Sequence, residues 1–120
     1  MIMLYSRILK ISLEETNHII QEIFPENIPS IIENGKVYLS DGEIFSSSAE
    51  KEKEGLILFN AEYNGKLNDF EKNLNHFLSK LNETKAIYDI EWEVEIKGKY
   101  ESKFIRHPLF ATSISALTGV

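Results

Sequence analysis

One stretch of the chain constrains its fold more than any other, because residues 87 to 96 alternate strictly between apolar and acidic side chains. Successive side chains of a β-strand point to opposite faces, so the alternation predicts a strand with one apolar and one acidic face. The apolar set is Tyr88, Ile90, Trp92, Val94 and Ile96, and the acidic set is Asp89, Glu91, Glu93 and Glu95. We expect the apolar face to lie in the core. The acidic face is either solvated or the docking surface of a basic partner.

The segment from Tyr100 to Arg106 is predicted to pair with this strand. For Tyr100 and Phe104 to share the apolar face with Trp92, the connection must hold an odd number of residues, most simply three. That register pairs Glu95 with Lys99, Glu91 with Lys103 and Glu93 with Glu101, and a register two residues different opposes Glu93 to Lys103. In both registers the second strand offsets part of the acidic charge.

Two helices are predicted from their caps and periodicity. The sequence Ser12-Leu13-Glu14-Glu15 is a capping box, in which the serine and the last glutamate satisfy each other's free amides, and Pro25 ends the helix that follows. The second helix is indicated by apolar residues three and four apart, which form one stripe. Its members are Leu67, Phe70, Leu74, Phe77, Leu78 and Leu81.

The remaining segments are predicted to be strands, turns and one loop. Met3 to Ile11 has apolar residues at both odd- and even-numbered positions, which favours a strand whose two faces are both covered. Asn34-Gly35 indicates a hairpin, Asp41-Gly42 repeats the signal, and 55–63 is a further strand. Residues 46–54 lack an apolar period and are interpreted as a mobile loop or a frayed helical turn. The uncharged tail from Pro108 fits either a short packed helix or a loosely held end.

The order of these elements predicts an α+β fold. We expect a mainly antiparallel sheet with two helices packed on one face, which is the ferredoxin-like pattern with extra strands. A chain of 120 residues is expected to form a single domain, residues 1–120.

Composition and charge exclude several function classes. The net charge of −6 argues against nucleic-acid binding and against attraction to an anionic membrane, because both need clustered lysine and arginine. The absence of cysteine excludes disulfides, thiol catalysis and cysteine-based zinc sites. No signal peptide or membrane span is visible, so a cytoplasmic protein is expected.

Candidate catalytic and metal-binding patterns are weak. Glu95-Ile96-Lys97 matches half of a metal-dependent nuclease motif, but the other half, an acidic residue on a neighbouring strand that shares the metal, is not recognisable in the sequence. Glu14, His18 and Glu22 share a helix face, where one histidine between carboxylates is far more often simply solvated. Neighbouring carboxylates on one strand face lie roughly 6.5–7 Å apart, too far to hold one metal ion without help. No catalytic residue, metal or cofactor is therefore predicted.

A binding protein is the function that these observations favour. In size, acidity and lack of a catalytic motif the chain resembles bacterial immunity proteins, which neutralise a toxin by occluding it. The resemblance implies a basic protein partner, such as a nuclease toxin domain, steered to acidic side chains. The predicted partner-binding residues are Asp89, Glu91, Glu93, Glu95 and Glu101.

Two other classes stay open. One is a small enzyme or ligand-binding domain with a pocket between sheet and helices, lined by His18, Glu22 or His76. The other is a homo-oligomeric module that pairs its sheet edges or docks through the tail.

Overall fold

The computed structural model describes residues 1–24, 30–40 and 42–119. Its elements, in chain order, are β1 (Ile2–Leu9), α1 (Leu13–Ile23), β2 (Ser30–Glu33), β3 (Lys36–Ser40), β4 (Phe45–Lys53), β5 (Leu56–Tyr63), α2 (Leu67–Glu83), β6 (Ile87–Ile96), β7 (Lys99–Arg106) and α3 (Phe110–Thr118). The predicted helix stop at Pro25 and the predicted turn residue Asp41 lie outside the described residues.

The strands form one seven-stranded sheet in the order β2-β3-β4-β5-β1-β6-β7. Every neighbouring pair of strands is antiparallel. The predicted α+β class and mainly antiparallel sheet are therefore confirmed. The ferredoxin-like pattern with two helices is not confirmed, because a third helix is present and β1 pairs antiparallel with both of its neighbours.

Helices α1 and α2 cover one face of the sheet and enclose the main core. The serine half of the predicted capping box is confirmed at the N-terminus of α1, because the Ser12 hydroxyl accepts a hydrogen bond from the Glu15 amide at 3.0 Å. Helix α2 buries four members of its predicted stripe, Phe70, Leu74, Phe77 and Leu81. The rings of Phe24, Phe59 and Phe77 contact one another at centroid distances of 5.5–6.4 Å, which ties both helices to the central strands.

Helix α3 packs on the opposite face, at one end of the sheet. Leu9, Leu56 and Ile87 are directly opposite one another on β1, β5 and β6, and the buried ring of Phe110 packs on them. Ile114 and Leu117 complete this cluster. The tail is thus a packed helix, one of the two structures expected for it. None of the helices in the described chain combines the length and apolarity needed to cross a bilayer.

The prediction of a loop at residues 46–54 was wrong. Phe45, Ser47 and Ala49 alternate as buried side chains of β4, which pairs with β3 on one side and β5 on the other. The serines hid this alternation, because the buried and exposed positions carry the same residue type. Neighbouring strands, rather than local propensity, impose the strand here.

The predicted connection between β6 and β7 was also wrong. It is a two-residue turn formed by Lys97 and Gly98, with φ angles of 52° and 77°, between the paired residues Ile96 and Lys99. Positive φ at both central residues is the geometry of a type I′ turn, whose twist matches the flanking strands. The turn is one residue shorter than expected, so every side chain of β7 lies on the other face.

The prediction that the first strand is covered on both sides holds only at its end. Leu9 lies beneath α3, but Tyr5 and Arg7 on the same face are exposed. The hairpin at Asn34-Gly35 is confirmed, with Glu33 opposite Lys36.

Candidate functional site

Among the residues that the structure describes, only those of α3 pack on the sheet face opposite α1 and α2, and we call this face the open face. Its side chains come from β3, β4, β5, β1, β6 and β7, and the pairing registers align them in rows that run across the strands. The charged row nearest α3 contains Lys36, Glu50, Leu58, Arg7, Asp89 and Arg106. The aromatic row contains Tyr38, Ser48, Asn60, Tyr5, Glu91 and Phe104. The acidic row contains Ser40, Ser46, Glu62, Met3, Glu93 and Ser102.

The charged row is internally paired. Arg7 Nη2 donates to Asp89 Oδ2 at 2.6 Å, and Arg106 Nε donates to Asp89 Oδ1 at 3.1 Å. At the far end of the row, Lys36 Nζ lies 3.6 Å from Glu50 Oε2. Burial raises the pKa of Asp89, but the hydrogen bonds from Arg106 and Arg7 outweigh burial and hold its pKa below the usual range.

The two arginines also connect this row to α3. The guanidinium carbons of Arg7 and Arg106 lie 4.9 and 5.4 Å from the centroid of the Phe110 ring. Such cation–π contacts favour a charged group over the ring face. Asp89 and Phe110 together therefore hold both arginines in place at the end of the open face.

The aromatic row exposes large apolar side chains. Phe104 is 75% exposed, Tyr5 40% and Tyr38 38%, and Tyr100 beside this row is 71% exposed. Two open depressions of about 270 and 300 Å³ flank Tyr5, and Asn60 lines both. Tyrosine and phenylalanine bury much area on association, so this row has the composition of a contact surface.

The rest of the open face carries uncompensated acid. Glu62, Glu91, Glu93 and Glu95 make no ion pair within the described residues, whereas Asp89 is neutralised. The three rows together with Glu95 hold six carboxylates against three cations, and the excess lies away from α3. The charge is thus asymmetric: paired at the α3 end and acidic at the other.

The predicted partner-binding residues fall into three groups. Glu91, Glu93 and Glu95 lie on the open face, and Asp89 lies there in ion pairs with two arginines. Glu101 is opposite Val94 and so points to the helix side of the sheet. Lys103 is opposite Trp92, also on the helix side, and therefore does not offset the acidic face as both predicted registers required.

Sequence reasoning missed the aromatic contribution to this face. Tyr5 and Arg7 share the parity of Met3 on β1, which could have signalled an amphipathic strand. Tyr100 and Phe104 were assigned to the core because their face depends on the length of one turn. The contribution of Glu62 could not be predicted from the sequence, since nothing in the local sequence indicates which strands flank β5.

The other candidate sites do not assemble. His18 Nε2 lies 3.0 Å from Glu22 Oε1 on the exposed surface of α1, one turn apart. His76 is exposed on α2, and His107 Nδ1 accepts a hydrogen bond from the Leu109 amide at 3.1 Å. Across the described ranges, no group of three or more potential ligands is positioned to hold a metal ion.

Comparison of the chain with family models, with curated proteins and with solved structures gives no match. The open face must therefore be interpreted from its own chemistry.

Replacement of Asp89 with asparagine is expected to lower the free energy of unfolding by about 1 kcal/mol at neutral pH. The loss is modest because both arginines are half exposed, which screens the interaction. Since the folded pKa is lowered, the stabilisation is present above the unfolded value of about 4 and is lost as pH falls through the folded value. Urea titrations of both proteins at several pH values should show their difference shrinking in acid. A difference independent of pH would contradict the ion-pair interpretation.

Proposed function

We propose that the chain is a cytoplasmic binding protein that docks a basic protein surface on its open face, as an immunity protein does when it occludes a toxin. The observation that carries the proposal is the combination of uncompensated glutamates with exposed aromatic side chains on one uncovered face. Glu91 illustrates it, because its cross-strand neighbours are Tyr5 and Phe104. A charged surface steers encounter, and aromatic side chains supply contact area once water is expelled.

The partner chemistry follows from the asymmetry of the face. A surface rich in lysine and arginine, such as the active site of a nuclease toxin, complements the acidic end. The α3 end presents the outer faces of Arg7 and Arg106, so a carboxylate on the partner would meet cations there. Because one end of the open face is acidic and the other presents arginines, only one orientation of the partner matches both ends. In a reversed complex, like charges of the two proteins would face each other.

The test is the association rate of a partner captured from the native host, measured with a charge-neutralised variant. Replacing Glu91, Glu93 and Glu95 with glutamine is expected to lower the rate constant about tenfold or more at low salt, because steering is lost. As the ionic strength rises, salt screens the steering, and the association rate constants of wild type and variant should converge.

A matched control removes the same amount of charge from the helices on the opposite side of the sheet. Glu14 and Glu15 on α1 and Glu71 on α2 are exposed, so their replacement with glutamine changes the net charge equally without touching the open face. This variant should associate almost as fast as wild type. Equal slowing of both variants would show that only net charge matters, and no slowing of either would remove the open face from the interaction.

A further inference from the structure

Strand β7 is an edge strand with its outer side unoccupied in the described structure. It ends the strand order, and seven of its eight residues are exposed. The amide of His107 donates to the Tyr88 carbonyl at 2.8 Å, which shows that the odd-numbered residues direct their backbone groups to β6. The amides and carbonyls of Tyr100, Ser102 and Phe104 therefore point outward from the free edge. Such a row is a template for another strand.

We propose that β7 pairs antiparallel with β7 of a second copy of this chain, with Ser102 opposite Ser102 at the two-fold axis. The two-fold axis that relates two identical antiparallel strands runs perpendicular to the sheet, so it keeps each side chain on the same side of the sheet. An even-numbered residue of one copy must therefore pair with an even-numbered residue of the other, and an odd-numbered residue with an odd-numbered one. This restricts the possible registers to those centred on a residue. Centring on Ser102 brings the outward-facing backbone groups of the two copies together.

The side chains of β7 are self-complementary in that register. Glu101 lies opposite Lys103 of the second copy, and symmetry forms this ion pair twice. Tyr100 lies opposite Phe104, also twice, on the open face where both rings are exposed. Opposite charges and paired aromatic rings are the cross-strand contacts that stabilise antiparallel strands.

Neighbouring registers are disfavoured by the same residues. Centring on Glu101 would oppose two glutamates and also Lys99 to Lys103, and centring on Lys103 would oppose two lysines. Like charges directly opposite one another destabilise a strand pair. Centring on Tyr100 or Phe104 shortens the paired strand at one end. The Ser102 register uses residues 99–105, a seven-residue span that only the disfavoured Lys103 register equals within β7.

The dimer would place two open faces on the same side of one continuous sheet. A single strand per copy buries little area, so the association belongs to the weak class of interfaces. The expected behaviour is a mass that rises from 13.8 kDa toward twice that value with concentration.

Sedimentation velocity from roughly 10 µM to roughly 1 mM tests the pairing. Either Glu101→Lys or Lys103→Glu alone turns both symmetric ion pairs into repulsions, and each is expected to raise the dimer dissociation constant about tenfold. An equimolar mixture of the two single variants should form a heterodimer, and the double variant should regain wild-type dimerisation. The control Glu71→Lys makes the same charge change on the exposed surface of α2 and should leave dimerisation unchanged.

A second variant tests the backbone pairing itself. Ser102→Pro removes an amide that points to the free edge, so it spares the β6–β7 ladder and should abolish the dimer. Circular dichroism would verify that this variant keeps its fold. A wild-type protein that stays monomeric over the whole range, single charge variants that dimerise like wild type, or a double variant that fails to recover would each overturn the proposal.

Discussion

Replacing Phe110 with alanine is expected to lower the free energy of unfolding by about 3 kcal/mol and to release α3 from the sheet. The Phe110 ring is 1% exposed and is the one fully buried side chain that α3 contributes in the described structure. Its loss leaves a cavity over Leu9, Leu56 and Ile87 and removes the ring that contacts both arginines. Helix α3 is short, so it depends on this packing for its stability.

Urea denaturation measures the stability loss, and limited proteolysis measures the release of the helix. The variant should be cleaved within α3 under conditions where wild type resists, since local opening exposes the tail first. Ser115→Ala is the control, because this exposed position in the same helix gains helix propensity without losing packing. A loss below about 1 kcal/mol, or unchanged protease resistance, would show that α3 is held by other contacts.

Replacing Phe77 with alanine is expected to have a still larger effect, a loss of about 4 kcal/mol. Phe77 is fully buried, and its ring contacts Phe59 on the central strand β5 and Phe24 at the end of α1. The substitution leaves a cavity where both helices meet the sheet and removes two aromatic contacts. Because the cavity is walled by elements from three parts of the chain, it cannot collapse by moving one side chain.

The measurement is again the unfolding free energy, with Ser79→Ala on the exposed side of α2 as the control. The control should stay within about 0.5 kcal/mol of wild type, as surface substitutions usually do. Retention of wild-type stability by Phe77→Ala would contradict the packing described for the α1–α2 layer. The two phenylalanines should also differ in kind: Phe77→Ala weakens the whole fold, whereas Phe110→Ala first loosens one helix.

Elements with a strong period were predictable from the sequence. The stripe from Leu67 to Leu81 became α2, and the alternation around Trp92 became β6 with Tyr88, Ile90 and Val94 buried. Both patterns depend only on the repeat of the local backbone and on the need to bury apolar area. The capping serine Ser12 and the Asn34-Gly35 turn were also readable, because a few adjacent residues determine each of them.

Elements whose partners determine their structure were not predictable. Strand β4 has serine on both faces, so only its position between β3 and β5 identifies its buried side. The face of β7 depended on whether Lys97 would accept a positive φ, which shortened the turn by one residue. That single residue moved Tyr100 and Phe104 from the expected core to the open face.

The candidate site shows the same division. From the sequence alone came the acidic set Asp89, Glu91, Glu93 and Glu95 and its position on one face of one strand. Only the tertiary structure decided which of these acids are uncompensated. Charge pairing across a sheet depends on strand order and register, which bring Arg7 and Arg106 to Asp89 and place Lys103 on the opposite face. A local alternation therefore determines which face a side chain occupies, and long-range pairing determines what it meets there.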